Sequence, residues 1–427
     1  MSKTIILISC CAKKKECENY AEVLYDSDGF KSRLAYARLL NPDGIFVISA
    51  FYHVVALTDF IKPYNVCLKD FSAAEKREWA KICWKQLDVV SDRQNDKYII
   101  LAGKDYYEEL VKGLKHYKIP TQHLSQFKQT PWVNSQITCD LIHDFANKLP
   151  RYTYPFDKTK LPKNGVYFFF EKGEKYKGLD RIVRIGTHDG NGNLPSRLVE
   201  HLNDENKDRS IFRKNIGRAI LNKNNDSFLI SWNLDITAKA AKDTYLASID
   251  FEKKKMVEAQ VSEYMRNNFS FSFFEVATEE NRHYMEKLLI ERVSAEKLFY
   301  PSKNWLGHFS PEEKICSSGM WLKQYLSKEK SDKNIKNVSK SVNQGKFEGL
   351  SQKAQIVLFI EDYIKQSKEK EIVLSAGEIR KWPNVDNICA NKNYRNICRA
   401  MESITKYDSS YLDGKYESST FRMLYKK

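Results

Sequence analysis

Three runs near the start of the chain, TIILISC (4–10), GIFVISA (44–50) and KYIILAG (97–103), are short, apolar and rich in β-branched residues. Stretches with helical spacing separate them: GFKSRLAYARLL (29–40), SAAEKREWAKICWKQLDVV (72–90) and DYYEELVKGLKHY (105–117). A strand that is apolar at every position has no face to give to water, so it sits inside a sheet covered on both sides. Helices between such strands act as crossovers and make the sheet mostly parallel. The pattern predicts an α/β domain over residues 1–150. Ligands bind such sheets beyond the carboxyl ends of the strands. Those ends are Ser9, Cys10 and Cys11, then Ser49 and Ala50, then Ala102 and Gly103.

A chain of 427 residues exceeds one ordinary core, so further domains are expected. The spaced prolines of LPRYTYPFDKTKLPKN (149–164) read as a linker or edge arm opening a second domain, 151–325. Apolar periodicity then disappears in LSKEKSDKNIKNVSKSVNQGKFEG, which predicts a solvated basic tether over 326–350. Order returns from 351 to 427. SQKAQIVLFIEDYIKQ, SAGEIRKW and NKNYRNICRAMESI read as three helices, and the closing segment reads as a hairpin turning at Asp413-Gly414. That layout predicts a winged helix-turn-helix. The fold class is thus α/β and α+β multidomain, with no repeat at a fixed period.

A formal charge of +15 favours a polyanionic partner, nucleic acid before membrane, although a lysine- and asparagine-rich genome produces the same excess. No window approaches eighteen apolar residues, so no ordinary membrane span is expected. The opening MSKTIILISCCAKKK lacks a small-residue cleavage site and fits a first strand better than a signal peptide. Nine cysteines without framework spacing suggest reduced thiols in a cytoplasm, and no Cys/His quartet has zinc spacing.

The middle segment carries the chemistry. NGVYFFFEKG (164–173) is a strand with Tyr167, and RIVRIGTH (181–188) is a second with Arg184 near its end. After a glycine-rich turn, Arg197 and His201 lie one helical turn apart on one face. HYMEKLLIERVSAEKLFYPSKNWLG (283–307) then supplies Glu291 on an amphipathic helix and Asn304 beyond it. In this order the residues resemble the GIY-YIG nuclease family over about 160–315. The first triplet stands as Gly165-Val166-Tyr167 and the second as Arg184-Ile185-Gly186, with Arg184 where the family usually has Tyr. Arg197 matches the family's helical Arg, Glu291 its metal-binding Glu and Asn304 its Asn. His201 matches an arrangement found among restriction-type members. The resemblance implies a small α+β nuclease domain that uses Mg²⁺, or another divalent cation such as Mn²⁺, at Glu291.

The residue types suit the reaction on physical grounds. Hydrolysing a phosphodiester needs a base for water, a cation at the phosphate and a way to stabilise the departing oxygen. A tyrosine serves as base only where a metal or cation favours its phenolate. The planar Arg197 fork matches phosphate oxygens, and a carboxylate such as Glu291 suits a hard cation. Asn304 would orient the site. Each residue alone has an ordinary reading: Tyr167 as strand core, Arg197 and His201 as helix residues, Glu291 as an ion-pair partner. Only their joint order points to cleavage.

The flanks add two expectations. ISCCAKKK, ISAFYHVVALTDFIKPY and LAGKDYY resemble an uncharacterised YaaA-like bacterial domain linked to nucleobase or DNA handling. There Ser9, Cys10 and Lys13 to Lys15 would meet an anion, and Asp59 and Tyr64 would line the same mouth. A catalytic pair of Cys10 with His53 is a weaker alternative. In the last segment Lys392, Asn393, Tyr394, Arg395 and Arg399 would line a recognition helix in a major groove, with Lys415 and Lys426 touching phosphates. The sum is a cytoplasmic, metal-dependent DNA endonuclease of restriction or phage-defence type. Its partner would be double-stranded DNA, with base-modified DNA as one class, and a homodimer is compatible with cutting both strands. The alternatives are a repair or mobile-element nuclease and a non-catalytic DNA-binding regulator with a nuclease domain degenerate at Arg184.

Overall fold

The structure is a computed structural model describing residues 2–234, 249–327, 352–367, 369–380, 382, 385, 394–404, 407–413 and 418–426. It divides into two compact units, Met1–Ser331 and Asp332–Lys427.

The first unit begins with a five-stranded sheet. Strand β1 (Thr4–Ser9) lies at its centre between β2 (Gly44–Ser49) and β4 (Lys97–Leu101), both parallel to it. Strand β5 (His116–Lys118) continues the parallel order, and β3 (His53–Ala56) closes the other edge antiparallel to β2. The all-apolar pattern of β1 has its reason in the packing. Ile5 and Leu7 meet Trp79 and Cys83 of α2 (Ala73–Val90), while Ile6 and Ile8 meet Phe30 and Leu34 of α1 (Asp28–Leu39). Both helices start on serine caps. The Ser27 hydroxyl accepts the Phe30 N–H, and Ser72 forms a capping box with Glu75.

Residues 139–148 form helix α3 (Cys139–Lys148), which leads into a four-stranded antiparallel sheet ordered β8-β7-β9-β6. These strands are β6 (Tyr152–Thr153), β7 (Gly165–Tyr176), β8 (Leu179–Gly186) and β9 (Phe269–Glu275). The edge arm expected around 149–164 is in part strand β6, paired with Ser270 and Phe271 of β9. Tyr167 stands in mid-sheet, opposite Gly186 on one side and Phe273 on the other. Side chains alternate along β7. Val166, Phe168 and Phe170 face a core with Ile142 and Phe145 of α3 and Met285 and Leu289 of α7 (Glu279–Ala295). Tyr167 and Phe169 face the opposite core, with Leu198 of α4 (Leu194–Leu202), Phe212 of α5 (Ile211–Lys223) and Val261 of α6 (Phe251–Asn268).

The first core also contains Ala35 and Leu39 of α1. The segments expected as 1–150 and 151–325 therefore share apolar side chains within one unit. Buried His143 on α3 sets the seam. Its Nδ1–H donates to the Cys139 carbonyl at 2.9 Å, and its Nε2 accepts the Ile182 N–H of edge strand β8 at 3.1 Å. An acceptor at Nε2 places the proton on Nδ1, so the imidazole is neutral. Just beyond Ile182 the pairing of β8 shifts register before Arg184. This irregularity turns Arg184 toward the Phe212 side, where its guanidinium lies 4.9 Å over that ring.

The second unit packs helix α8 (Gln352–Gln366), strand β10 (Glu371–Ser375), and helices α9 (Ala376–Arg380) and α10 (Arg395–Glu402) with a pair of strands, β11 (Asp408–Asp413) and β12 (Arg422–Lys426). The three strands form an antiparallel sheet ordered β10-β12-β11. Ile356, Ile360, Ile379, Ile397 and Tyr425 fill its core. The strand between the first two helices was not expected from sequence. The expected tether lies almost wholly outside the described residues, as do Gly414 of the hairpin turn, Lys392, Asn393 and Lys415.

Candidate active site

The loop after β8 must double back over the start of β7. Gly190 and Gly192 take φ of +71° and +83°, which a side chain at either position would strain. The Thr187 hydroxyl donates to the Gly165 carbonyl at 2.9 Å, and the Gly192 N–H donates to Asn164 Oδ1 at 2.8 Å. Pro195 then opens α4, which carries Arg197 and His201 inward.

Tyr167 Oη and His201 Nε2 are 2.9 Å apart, and His201 Nδ1 lies 2.8 Å from Ser210 Oγ. Tyr167 is 1% exposed and His201 is wholly buried. Burial, reinforced by the charges of Arg197, Arg184 and Arg213, drives the His201 pKa well below its ordinary value. A neutral imidazole either accepts the phenol proton or, as the other tautomer, donates Nε2–H to a phenolate. It is a poor final store for a proton, and the 2.9 Å contact fixes the direction of the Tyr167 hydroxyl. Burial opposes the charge on Arg197, but the Tyr167 phenol and the Glu200 carboxylate more than offset it. Arg197 also donates to the Arg209 carbonyl at 2.9 Å, and its side chain keeps about a quarter of its surface open. The solvent-facing rim of the cluster is therefore the Arg197 edge. Gly186 is required here: a Cβ at that position would fall 2.3 Å from Tyr167 Oη.

Arg184 is buried beside His201 and donates to the Trp321 carbonyl at 2.6 Å. It supplies fixed positive charge where the resemblance leads one to expect a phenol.

Glu291 stands elsewhere. Its carboxylate is 45% exposed and 4.0 Å from Lys287 Nζ, and no hydrogen bond or ion pair among the described residues joins it to Tyr167, Arg197 or His201. Five residues earlier, about 140° around the helix, Glu286 is largely buried. Burial raises its pKa, opposed by the charges of Arg184 and His283 and by a hydrogen bond from the Thr187 N–H. Thr187 directly follows Gly186, so this carboxylate sits at the end of the strand that carries Arg184. Asn304 is also apart from the phenol. Its neighbours Ser302 and Trp305 bind Glu174 and Glu171, four to seven residues along β7 from Tyr167, or about 13–23 Å at strand rise.

Glu286 continues a polar stripe on α7. Glu279, His283 and Glu286 recur at helical spacing, and Asp189 of the glycine-rich loop joins them. Asp189, Glu279 and His283 each bring one ligand atom within 4.8 Å of the others, and His283 Nδ1 lies 3.7 Å from Glu286 Oε2. A donor set dominated by carboxylate oxygens fits a hard divalent cation.

In the N-terminal sheet, Ser9 and Cys10 are buried at the end of β1. Cys10 Sγ hydrogen-bonds Tyr106 Oη at 3.1 Å, whereas His53 stacks on Trp79, so the two have separate partners. Tyr64 Oη lies 2.8 Å from Ser49 Oγ, and Lys14 Nζ lies 4.1 Å over the Tyr64 ring. Lys13 and Lys15 pair with Asp26, and Lys15 reaches Glu280 of α7 at 3.1 Å. The anion met by these two lysines belongs to the protein itself. Asp59 is exposed and accepts the Ala56 N–H at 2.8 Å, closing a turn. In the second unit Arg395 and Arg399 are exposed one turn apart on α10, Tyr394 is half-buried, and Lys426 pairs with Glu371 at 3.0 Å.

An antiparallel sheet thus presents a tyrosine to a helical arginine and histidine, with a carboxylate at the strand end. In family comparison, the family described as a GIY-YIG domain matches residues 144–347, a wider span than the motifs alone and one that begins inside α3. This match supports the nuclease superfamily for that segment. A family of unknown function (DUF6884) matches residues 5–135 and attaches no activity to that part. No curated protein matches the chain, and no solved structure matches it. No helix among the described residues is long and apolar enough to cross a membrane.

Proposed function

We propose that the first unit is a divalent-metal-dependent endonuclease that cuts double-stranded DNA in restriction or phage defence, with base-modified DNA among its substrates. The observation that carries this reading is the 2.9 Å Tyr167–His201 contact with Arg197 beside it and Glu286 at the end of the neighbouring strand. Tyr167, as its phenolate, takes a proton from the attacking water and becomes the phenol, His201 holds the phenolate by donating Nε2–H, and Arg197 binds a phosphate oxygen. Glu286, rather than Glu291, would hold the cation, with Asp189, Glu279 and His283 nearby. With Mg²⁺ or Mn²⁺ bound there, these residues would gain Lewis-acid polarisation of the phosphate. The second unit is proposed as a winged-helix DNA reader using Arg395 and Arg399, in a cytoplasmic protein able to act as a homodimer.

The test is cleavage of plasmid and of phage genomes with different base modifications, in Mg²⁺ or Mn²⁺. Wild type is expected to cut at least one substrate. Tyr167→Phe, Arg197→Ala and Glu286→Gln should each lose on the order of 100-fold or more, while Glu291→Gln stays near wild type. A second reading, a DNA-binding regulator without cleavage, is favoured by the 1% exposure of Tyr167 and by Arg184. Binding without cutting on every substrate would establish it.

A further inference from the structure

Between the N-terminal sheet domain and the central domain runs a cleft of about 520 Å³. Asn19, Tyr20, Glu22 and Thr58 form one wall, and Thr278, Glu279 and Arg282 belong to the other. Its size is that of a small-molecule pocket. Three polar atoms in these walls, Glu22 Oε1, Thr278 Oγ1 and Arg282 Nε, are shut from solvent and have no hydrogen-bond partner. A buried polar atom left unpaired is destabilising, so three along one cleft call for a cause. Thr278 stands at the N-cap of α7, yet its hydroxyl caps nothing.

The chemistry of the walls selects among ligands. Glu22 and Glu279, with Asp189 close by, make the cleft unwelcoming to a phosphate. A carboxylate acceptor beside an arginine donor instead suits the edge of a nucleobase, where an exocyclic amine lies next to a ring nitrogen or carbonyl. Tyr20 is 45% exposed and meets the 59% exposed Phe60 edge to face at 5.4 Å, leaving an aromatic surface at the rim for stacking. Glu279 also belongs to the cation-donor group. Seven residues along the helix, about 10 Å, it is followed by Glu286, a span of a few nucleotides.

Resting on the nuclease reading above, we propose that this cleft takes one amino-bearing base of the DNA strand out of its stack. Small side-chain rotations bring Glu22, Thr278 and Arg282 onto its hydrogen-bonding edge, and Tyr20 covers its face. Pairing the three orphaned groups offsets the unstacking.

The test has two arms, both on the full chain in EDTA so that no cleavage intervenes. In the first, calorimetry measures binding of deoxycytidine, deoxyadenosine, deoxyguanosine and thymidine, which carry no phosphate. At least one amino-bearing nucleoside should bind tenfold or more tighter than thymidine. Thr278→Val should weaken that binding five- to tenfold without lowering the melting temperature, because the hydroxyl it removes is unpaired in the free protein. Arg282→Gln provides a second variant. In the second arm, a duplex carrying 2-aminopurine should brighten several-fold on binding wild type and much less with Thr278→Val. Absence of nucleoside binding, equal binding of all four, or Thr278→Val binding as tightly as wild type overturns the pocket. Nucleoside binding with a dark 2-aminopurine duplex overturns the assignment to the DNA strand. A chain that passes both arms but cuts no DNA sinks the nuclease reading alone, and one that cuts DNA but fails both sinks the pocket alone.

Discussion

Lowering the pH from 7 to 5 should loosen the seam between α3 and β8 through a single imidazole. Burial, partly opposed by the bond to the Cys139 carbonyl, lowers the His143 pKa to about 4 from an ordinary 6.5. Below pH 6.5 the unfolded chain therefore takes up a proton that the folded chain refuses. Stability falls as pH drops and is regained as it rises, because the unfolded state binds more protons across that window. The shift of 2.5 units (6.5 − 4) corresponds to about 3 kcal/mol in full. Between pH 7 and 5 the share lost is about 2 kcal/mol. His143→Gln keeps an oxygen able to accept the Ile182 N–H but does not titrate. Guanidinium denaturation of both proteins at pH 7 and 5, followed by tryptophan fluorescence, isolates the effect as a double difference, since every other group titrates alike in the two. Wild type should lose about 2 kcal/mol more than the variant. Equal losses would refute the reasoning and show that the imidazole is charged or the seam open in solution.

Gly186→Ala puts a methyl 2.3 Å from Tyr167 Oη, so the phenol must leave His201, and cleavage should fall on the order of 100-fold with the far-ultraviolet circular dichroism retained. Glu171 accepts from Trp305 and Trp321, each at 2.8 Å, and from Tyr264; Glu171→Leu strands three buried donors and should cost about 3–6 kcal/mol in denaturation experiments. Removing divalent cations with EDTA should stop cutting, and Mn²⁺ titration should show Glu286→Gln needing a higher concentration for half-maximal rate than Glu291→Gln. Replacing Arg395 and Arg399 with glutamine should flatten the log-affinity against log-salt slope for DNA by about 2, one unit per lost phosphate contact.

The order of the central strands and the helix bearing Arg197 and His201 were legible because each rests on local pattern: two strands, positive-φ glycines and a proline start. Which of two carboxylates faces the strand end was not. Within MEKLLIER, Glu286 and Glu291 differ only in angle around one axis, and that angle is fixed by Met285 and Leu289 docking on Val166 and Phe168. The spacing of Glu279, His283 and Glu286 was a usable signal, because it puts three donors on one helix face. Lys13 and Lys15 read as an anion site for a different reason. Their partners Asp26 and Glu280 come together only in the fold, and no local pattern reports a contact across more than 260 residues. The shared packing across the boundary placed at 150 was not legible either, since Ala35 and Leu39 join a core whose next member is Ile137, with no local pattern to report it.

That common core has a bearing on inheritance. A gene fragment passing on only the sequence from 151 onward would deliver the central sheet with its underside stripped of Ile142, Phe145, Ala35 and Leu39. Recombination at that point would leave an uncovered apolar face. A cut that keeps the central sheet covered has to carry the first 150 residues with it.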